Sequence, residues 1–312
     1  MLPVKGLCME MCPKEEIMMR KSKRLVHQLE CNPHKMVKCF SRSAAGNSLS
    51  KPHILRPPPV LRDTISYLLN EVLSITNVPF NIVYDFIDDR LNSVRQDATI
   101  QAVSNQDWMA ILPPIIRFHA FAAYKCYEYD VNTFDPFLNI KHFHESIFKI
   151  IKILLEDSDE STDELCSEMV SLLIVTNLGD YNVLQQALPF ISKKNTLIKM
   201  AVLLSINIMN GNFEQLFKTY NTFPAIHQCV ISVQLPMLRK IILKSMCMGF
   251  NCKNNYFPIS ILSKMLLHNE PRETIKECQN YCLTVVDDKV ELSKSSFNNE
   301  VDEVRQIRII LN

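Results

Sequence analysis

The sequence predicts a mainly α-helical chain: a tetratricopeptide-like helical-repeat solenoid that ends in a winged helix with a small β-hairpin. Only 5 of the 312 residues are glycine, and apolar residues recur at helical spacing along most of the chain. Two segments, Leu172–Leu188 and Leu204–Tyr220, each contain an apolar helix, a glycine turn and a second helix. Their turn glycines are 32 residues apart, close to the period of about 34 of helix-turn-helix repeats. Near the C-terminus, two short helices precede a hairpin, which is the element order of a winged helix.

The composition excludes several classes of enzyme. Phosphate-binding loops need closely spaced glycines, and the sequence contains no G-x-G-x-x-G, G-x-x-x-x-G-K-[ST] or G-x-S-x-G pattern. The chain has 11 scattered cysteines and does not begin with a signal peptide. We therefore expect an intracellular protein with reduced thiols. No apolar run approaches the roughly 18 residues of a membrane span, so we expect no membrane association. Because the enzyme motifs named above are absent, we also expect no small-molecule substrate.

Residues 1–62 form the first predicted domain, a basic extended strap with one short helix. They carry 12 Lys/Arg and 4 Asp/Glu, a charge of +8, whereas the rest of the chain carries 22 and 29, a charge of −7. A helix is expected over Lys14–Glu30, because Pro13 suits a first helical turn. The stretch Ser41–Pro59 ends in consecutive prolines, which lack an amide donor and favour an extended chain. Such an arm either recruits partners or lies along the acidic body.

Residues 63–228 form the predicted helical-repeat domain. Helical periodicity begins at Val60, and an acidic stretch at Glu156–Glu164 is expected to be an exposed loop. The two helix–turn–helix segments follow this loop.

Residues 229–312 form the predicted winged-helix domain. Helices are expected over Pro236–Met248, Pro258–Leu267 and Pro271–Tyr281, and the last would be the recognition-type helix. In the following LTVVDDKVEL, two β-rich runs surround a central DDK, which predicts a hairpin.

Five cations on this last domain are candidates for nucleic-acid binding. Phosphate contacts require Lys or Arg on one face of such an element. Acidic residues between positions 270 and 288 dilute the patch, so a merely solvated face is the alternative. The candidates are Lys264, Arg272, Lys276, Lys289 and Lys294.

Cysteine and histidine spacing gives little support for a metal site. Cys8, Cys12, Cys31 and His34 have the ligand types of a zinc site, but not the paired C-x₂-C spacing of a zinc knuckle. Ordinary thiols are the favoured interpretation, and we expect neither a metal nor a cofactor.

Acidic residues of one predicted helix raise the alternative of a metal-dependent enzyme. Asp85, Asp88, Asp89 and Asp97 could bind a metal or act in acid–base catalysis, but Arg90 and Arg95 lie among them. Ion pairing at helical spacing is therefore favoured. His119 lies in an apolar run, which favours a core histidine, and no residues suggest a nucleophile with a paired base. We expect no catalytic residues.

Several motifs lie in a characteristic order along the chain. They include Met-Cys-Pro at 11–13, Tyr-Asp-Phe at 84–86, Asp-Arg at 89–90 and Arg-Phe-His at 117–119. In this order and spacing they resemble the Sac-three/GANP domain family, from about Gly6 to Phe297. The resemblance implies structural roles for the matching residues. These are Cys12, Pro13, Glu16, Arg20, Arg42, Arg56, Tyr84, Asp85, Asp89, Arg90, Arg95, Asp97, Gln101, Arg117 and His119.

The resemblance implies a non-enzymatic scaffold with a PCI-like winged helix. Members of the family act in the TREX-two complex of messenger-RNA export, where the domain binds a PCI-domain protein, a small acidic subunit and RNA or single-stranded nucleic acid. The expected location is nucleus and cytoplasm. The alternative is a centrosome- or spindle-associated role in centrosome duplication and mitotic progression, as in the short, domain-only members that this chain resembles.

Two departures from the family pattern are expected to alter local packing. Asn92 stands where the family often has a second Arg, and Pro113 stands where a Glu usually precedes Arg-Phe-His. Because Pro114 follows directly, the double proline is expected to kink or break its helix.

Overall fold

A computed structural model of the chain describes residues 4–31, 35–41, 50–156, 164–191, 195–251 and 256–303. These residues are mainly α-helical and include one three-stranded sheet, which confirms the predicted mainly helical class. The chain divides into two compact units: Met1–His119 with Val131–Ile153, and Ala120–Asp130 with Leu154–Asn312. No helix in the described part of the chain has the length and apolarity needed to cross a membrane.

Twelve α-helices and three short strands form the regular structure of the described residues. They are α1 Lys14–Ser22, α2 Pro58–Tyr67, α3 Phe80–Ile100, α4 Asn105–Lys125, α5 Pro136–Glu156, α6 Glu164–Thr176, α7 Tyr181–Ala187, α8 Thr196–Met209, α9 Glu214–Thr219, α10 Ala225–Gly249, β1 Tyr256–Pro258, α11 Ile259–Met265, α12 Pro271–Asn280, β2 Val285–Val286 and β3 Lys289–Glu291.

Helix α1 is shorter than the sequence predicts. It begins at Lys14 after Pro13, as expected, but ends at Ser22 rather than at Glu30. Arg24 adopts a φ of 55°, and a residue in this left-handed region ends a helix because it turns the chain away from the helical path. The last three residues of the predicted helix, Gln28–Glu30, form a separate 3₁₀ turn.

Helix α4 passes through the double proline without a break, so the prediction of a broken helix is wrong. Pro113 and Pro114 lie inside the continuous helix Asn105–Lys125. Each proline removes one intrahelical hydrogen bond. The residues on either side are at most 1% exposed, and burying these aliphatic side chains offsets the loss, at about 1.5–3 kcal/mol for each side chain. The flanking buried residues are Ile111, Leu112, Ile115 and Ile116.

The second unit contains both helix–turn–helix pairs that the sequence predicts. The turn after α6 holds Gly179 at a φ of 85°, and the turn after α8 holds Gly211 at a φ of 71°. Only glycine adopts such angles without a steric cost, which explains why these two turns share a glycine. Helix α6 packs against α8 and α10, so each pair buries its apolar faces against a neighbouring element.

The C-terminal part of the second unit combines α11 and α12 with an antiparallel sheet of order β1-β3-β2. The hairpin β2–β3 is confirmed, and its two-residue turn places Asp287 and Asp288 at φ values of 46° and 58°. Two consecutive positive φ angles are the property of a type I′ turn, whose twist matches that of the strands. Strand β1 was not predicted from the sequence. It pairs Phe257 with Val290.

Helix α10 begins well before its predicted start. It runs from Ala225 to Gly249 and contains Pro236, whereas the sequence suggested a helix that begins at this proline. Leu235 and Leu238 beside it are at most 2% exposed. Packing therefore sustains a helix across a proline here as well.

A buried histidine makes the stability of the second unit depend on pH. His227 is fully buried, its Nε2 lies 2.7 Å from Ser171 Oγ, and its Nδ1 has no hydrogen-bond partner among the described residues. Burial lowers the pKa of His227 to about 4, although Glu168 raises it slightly. The unfolded chain takes up this proton near pH 6.5, so stability is complete above that pH and is lost as the pH falls towards 4.

We expect His227 to cost about 2–3 kcal/mol of unfolding free energy between pH 7.5 and pH 4.5. Urea unfolding of the wild type and of His227→Gln at both pH values measures this term, because glutamine does not titrate. The wild type should lose about 2–3 kcal/mol more than the variant. Equal losses in the two proteins would contradict the assignment.

Candidate nucleic-acid interface and motif residues

All five cations predicted to contact nucleic acid are exposed. Lys264 lies on α11, Arg272 and Lys276 lie one turn apart on α12, and Lys289 and Lys294 lie on and after β3. Among the described residues, none of the five forms an ion pair. The structure therefore presents five solvated positive charges on one small strand–helix–helix–hairpin unit.

Two of the five acidic residues that lie among these cations in the sequence are buried, so they do not share the exposed surface with the cations. Glu273 is 9% exposed and Glu277 is fully buried. His268 Nε2 lies 2.7 Å from Glu277 Oε2, and both carboxylates act on buried Arg239. The other three, Glu270, Asp287 and Asp288, remain exposed. The exposed face is thus more positive than the sequence suggests.

Buried Arg239 on α10 fixes this unit from the inside. Its Nε donates to Leu266 O at 2.7 Å and its Nη2 to Leu267 O at 2.9 Å. These carbonyls follow the last turn of α11, where the backbone lacks intrahelical partners. Burial lowers the pKa of Arg239, while the nearby carboxylates of Glu277 and Glu273 raise it. One guanidinium therefore caps α11 and balances the charge on α12.

Several of the family-motif residues form a buried network between α3 and the N-terminal segment. Asp97 Oδ1 accepts a hydrogen bond from Lys38 Nζ at 2.6 Å, and its Oδ2 accepts one from Arg56 Nε at 2.7 Å. Asp97 and Arg56 are fully buried, and Lys38 is 6% exposed. Arg56 Nη2 also donates to Ser93 Oγ at 2.9 Å. The shared carboxylate and the further hydrogen bonds together make this burial tolerable.

A second buried network centres on Glu30. Its carboxylate pairs with Arg20, accepts a hydrogen bond from Val37 N at 3.0 Å and lies 3.3 Å from Arg90 Nη2. Burial by itself would raise the pKa of Glu30, but Arg20, Val37 and Arg90 hold it below its usual value. Arg20 Nη1 lies 3.6 Å from Glu16 Oε1. These contacts hold the N-terminal segment against α3.

The side chain of Gln101 fixes the start of the described chain. Its Oε1 accepts a hydrogen bond from Gly6 N at 2.8 Å, and its Nε2 donates to Arg56 O at 2.8 Å. A Cβ atom at Gly6 would lie 2.5 Å from Leu55 O. This close approach of two backbone segments requires glycine.

The remaining motif residues are divided between core and surface. Cys12 is fully buried and Pro13 is also buried, whereas Asp85 and Arg117 are exposed. Arg42 and His34 lie outside the described residues. Asp89 pairs with Arg90 at 2.5 Å, and Arg95 pairs with Glu145 on α5 at 2.7 Å.

Three other residues converge in the first unit without having been predicted together. Asp88, fully buried His119 and His142 place their ligand-type atoms within 4.8 Å of one another. Asp88 and His142 line an open cleft of about 1050 Å³ in this unit. Cys8, Cys12 and Cys31 do not form such a group within the described part of the chain.

Sequence reasoning missed the polar partners that lie far away along the chain. Glu30, Lys38 and Asn139 each have a buried polar role. The local sequence carries one signal, since Lys38 and Asn139 interrupt otherwise apolar neighbours. That signal identifies no partner.

A sequence profile of the SAC3/GANP family matches residues 11–287, which include both buried networks and most of the basic unit. The chain belongs to the SAC3/GANP family. SAC3 family protein 1 of Schizosaccharomyces pombe is 26% identical over 97% of this chain and 33% of its own length. Protein xmas of Drosophila melanogaster is 23% identical over 90% of this chain and 14% of its own length. SAC3 family protein B of Arabidopsis thaliana is 23% identical over 94% of this chain and 18% of its own length.

This SAC3/GANP chain therefore spans a third or less of the curated relatives that it matches. The SAC3/GANP family is a scaffold family without a known catalytic role.

Proposed function

We propose that this SAC3/GANP chain is a non-enzymatic scaffold of a TREX-two-like messenger-RNA export complex and binds RNA through its C-terminal basic unit. The observation that carries the RNA-binding part is the set of five exposed cations, none of them in an ion pair among the described residues. Family membership supports the scaffold role.

In this proposal, residues 229–312 act as a PCI-like winged helix. The element order strand, helix, helix, hairpin and the sheet order β1-β3-β2 support it, and α12 takes the place of the recognition helix. Residues 63–228 are the helical-repeat part, and residues 1–62 are the strap. The partners are a PCI-domain protein and a small acidic subunit, and the place of action is the nucleus, with a cytoplasmic pool.

Nucleic-acid binding by such a surface depends on phosphate contacts. Each phosphate that a Lys or Arg neutralises releases a counterion, which gives a slope of log affinity against log salt of about −0.7 per contact for single strands. Exposed cations on one unit, unlike a scattered surface charge, act on the same strand of RNA. The affinity should therefore depend on these residues and not on the net charge of the chain.

We expect replacement of all five cations by glutamine to weaken binding of a labelled single-stranded RNA by at least about tenfold and to flatten the salt slope. Fluorescence anisotropy over a range of salt concentrations measures both. The residues changed are Lys264, Arg272, Lys276, Lys289 and Lys294.

A matched control removes the same amount of positive charge from exposed lysines of the N-terminal segment. Its changes to glutamine are at Lys5, Lys14, Lys21, Lys23 and Lys51, all exposed. The control should bind RNA within about threefold of the wild type. The proposal fails if the wild type shows no salt-dependent RNA binding, or if both variants lose affinity equally.

A further inference from the structure

Three helices of the first unit bring one carboxylate and two imidazoles together. Asp88 lies on α3, His119 on α4 and His142 on α5. His142 Nδ1 is 2.9 Å from Asp88 Oδ1, and His119 Nε2 is 3.9 Å from the same oxygen. All three ligand-type atoms lie within 4.8 Å of one another. His119 and His142 lie 31 and 54 residues from Asp88 along the sequence, so the fold alone brings the three residues together.

The tautomer of His119 follows from its hydrogen bonds. Asn139 Nδ2 donates to His119 O at 3.0 Å, which turns Asn139 Oδ1 towards His119 Nδ1 at 2.9 Å. The Tyr84 hydroxyl also donates to this Oδ1 at 3.3 Å. An oxygen in this position accepts, so His119 Nδ1 carries the hydrogen. His119 Nε2 then carries no hydrogen and presents a lone pair, which can only accept a hydrogen bond or bind a cation.

This lone pair faces Asp88 Oδ1 at 3.9 Å, and His142 Nδ1 lies 2.9 Å from the same oxygen. His119 is 1% exposed, and its Nε2 has no hydrogen-bond partner among the described residues. Two buried acceptors that face each other are unfavourable unless a hydrogen-bond donor or a cation lies between them.

We propose that Asp88, His119 and His142 bind one divalent transition metal ion, with Zn²⁺ as the fitting ion. Two imidazole nitrogens and one carboxylate oxygen are a common ligand set for Zn²⁺. Donor atoms bound to one Zn²⁺ at about 2.0–2.2 Å lie roughly 3–3.5 Å apart. The 2.9 Å separation is slightly shorter than this range and the 3.9 Å separation is longer, so each must change by about half an ångström or less to admit the ion.

The surroundings of the cluster match those of metal sites. Asn139 orients the His119 ring by a hydrogen bond to Nδ1, the ring nitrogen that would not bind the metal. Metal-binding histidines are commonly oriented in this way. Asn92 Nδ2 donates to Asp88 Oδ2 at 3.2 Å, which leaves Oδ1 for the ion. Arg95, which lines the cleft, is paired with Glu145. The open cleft provides an entry path and room for a water ligand.

Bound metal would join α3, α4 and α5 and so stabilise the first unit, because a ligand of the folded state raises stability. This inference is independent of RNA binding. The experiment uses the full chain after removal of metal by a chelator, in reducing buffer. Calorimetric titration with Zn²⁺ gives stoichiometry and affinity, and the absorption spectrum with Co²⁺ identifies the ligands. Thermal melting with and without Zn²⁺ gives the stabilisation.

We expect one Zn²⁺ per chain, and Co²⁺ bands without the charge-transfer absorption that thiolate ligands produce. His142→Gln and Asp88→Asn should each weaken Zn²⁺ binding by at least about tenfold. His142 borders the open cleft, and asparagine matches aspartate in size, so both variants should fold. The matched control, His144→Gln, changes a histidine two residues further along α5 and should bind Zn²⁺ like the wild type.

Three results would overturn the site: no Zn²⁺ or Co²⁺ binding by the wild type, undiminished binding in both variants, or a Co²⁺ spectrum dominated by thiolate charge transfer. The last result would assign the metal to cysteines. Circular dichroism of each variant shows that a lost signal is not due to unfolding.

Discussion

Replacement of Asp97 by asparagine is expected to lower the free energy of unfolding by about 3–5 kcal/mol. Asparagine preserves the size of the side chain but removes the negative charge that Lys38 and Arg56 share among the described residues. Both cations are buried. A buried charge that loses its partner retains the full cost of its desolvation, so the penalty exceeds the value of one hydrogen bond.

The matched control is Asp107→Asn, which breaks a second Asp–Arg pair in the same unit. Asp107 lies 3.0 Å from Arg62, but the two side chains are 26% and 44% exposed. Water screens such a pair, so its loss should cost at most about 1 kcal/mol. Urea unfolding followed by circular dichroism compares both variants with the wild type. A cost below about 1 kcal/mol for Asp97→Asn would show that the network contributes little.

Local features of the fold could be predicted because their causes are local. Gly179 and Gly211 mark turns that need a positive φ, and Asp287-Asp288 mark a type I′ hairpin turn. Strand β1 could not be predicted. Its three residues are too few to show an alternating pattern, and its partner strand lies 31 residues or more away along the chain.

Helix ends and prolines were harder to predict because tertiary packing overrides local preference. Pro113, Pro114 and Pro236 all lie inside helices, where each costs a hydrogen bond. Burial of their apolar neighbours compensates. That burial depends on the packing of other elements, so it cannot be inferred from the proline itself.

Candidate sites were predictable in composition but not in pairing. The acidic residues of α3 suggested ion pairs with Arg90 and Arg95, and Asp89 does pair with Arg90. Asp97 instead pairs with Lys38 and Arg56, 59 and 41 residues away. Asp88 meets His142, 54 residues away. Helical spacing identifies neighbours only within one helix. Partners on other elements require the three-dimensional fold.

Arg239 should connect the interior of the second unit to its proposed RNA-binding face. Methionine at this position fills a similar volume, but leaves the carbonyls of Leu266 and Leu267 without their donor. It also leaves the buried carboxylates of Glu273 and Glu277 without the nearby cation. We expect Arg239→Met to lower the free energy of unfolding by about 3–5 kcal/mol.

Two further variants separate charge from packing. Lys240→Met alters the next residue of α10, which is half-exposed and donates to Val301 O at 2.9 Å. It should cost less than about 1 kcal/mol. Adding Glu277→Gln to Arg239→Met should restore part of the lost stability, because it removes a buried charge that has lost its cation. If the double variant recovers no stability, the cost of Arg239→Met comes from the unpaired carbonyls of Leu266 and Leu267 instead.

The same substitution links stability to function. The five exposed cations lie on α11, α12 and β3, or just after β3, and Arg239 caps the end of α11. Arg239→Met should therefore reduce RNA affinity at temperatures where the unit begins to unfold, although none of the five cations has changed. Anisotropy measured across the melting transition follows both quantities. RNA affinity that stayed constant while the unit unfolded would mean that the bound RNA contacts another part of the chain.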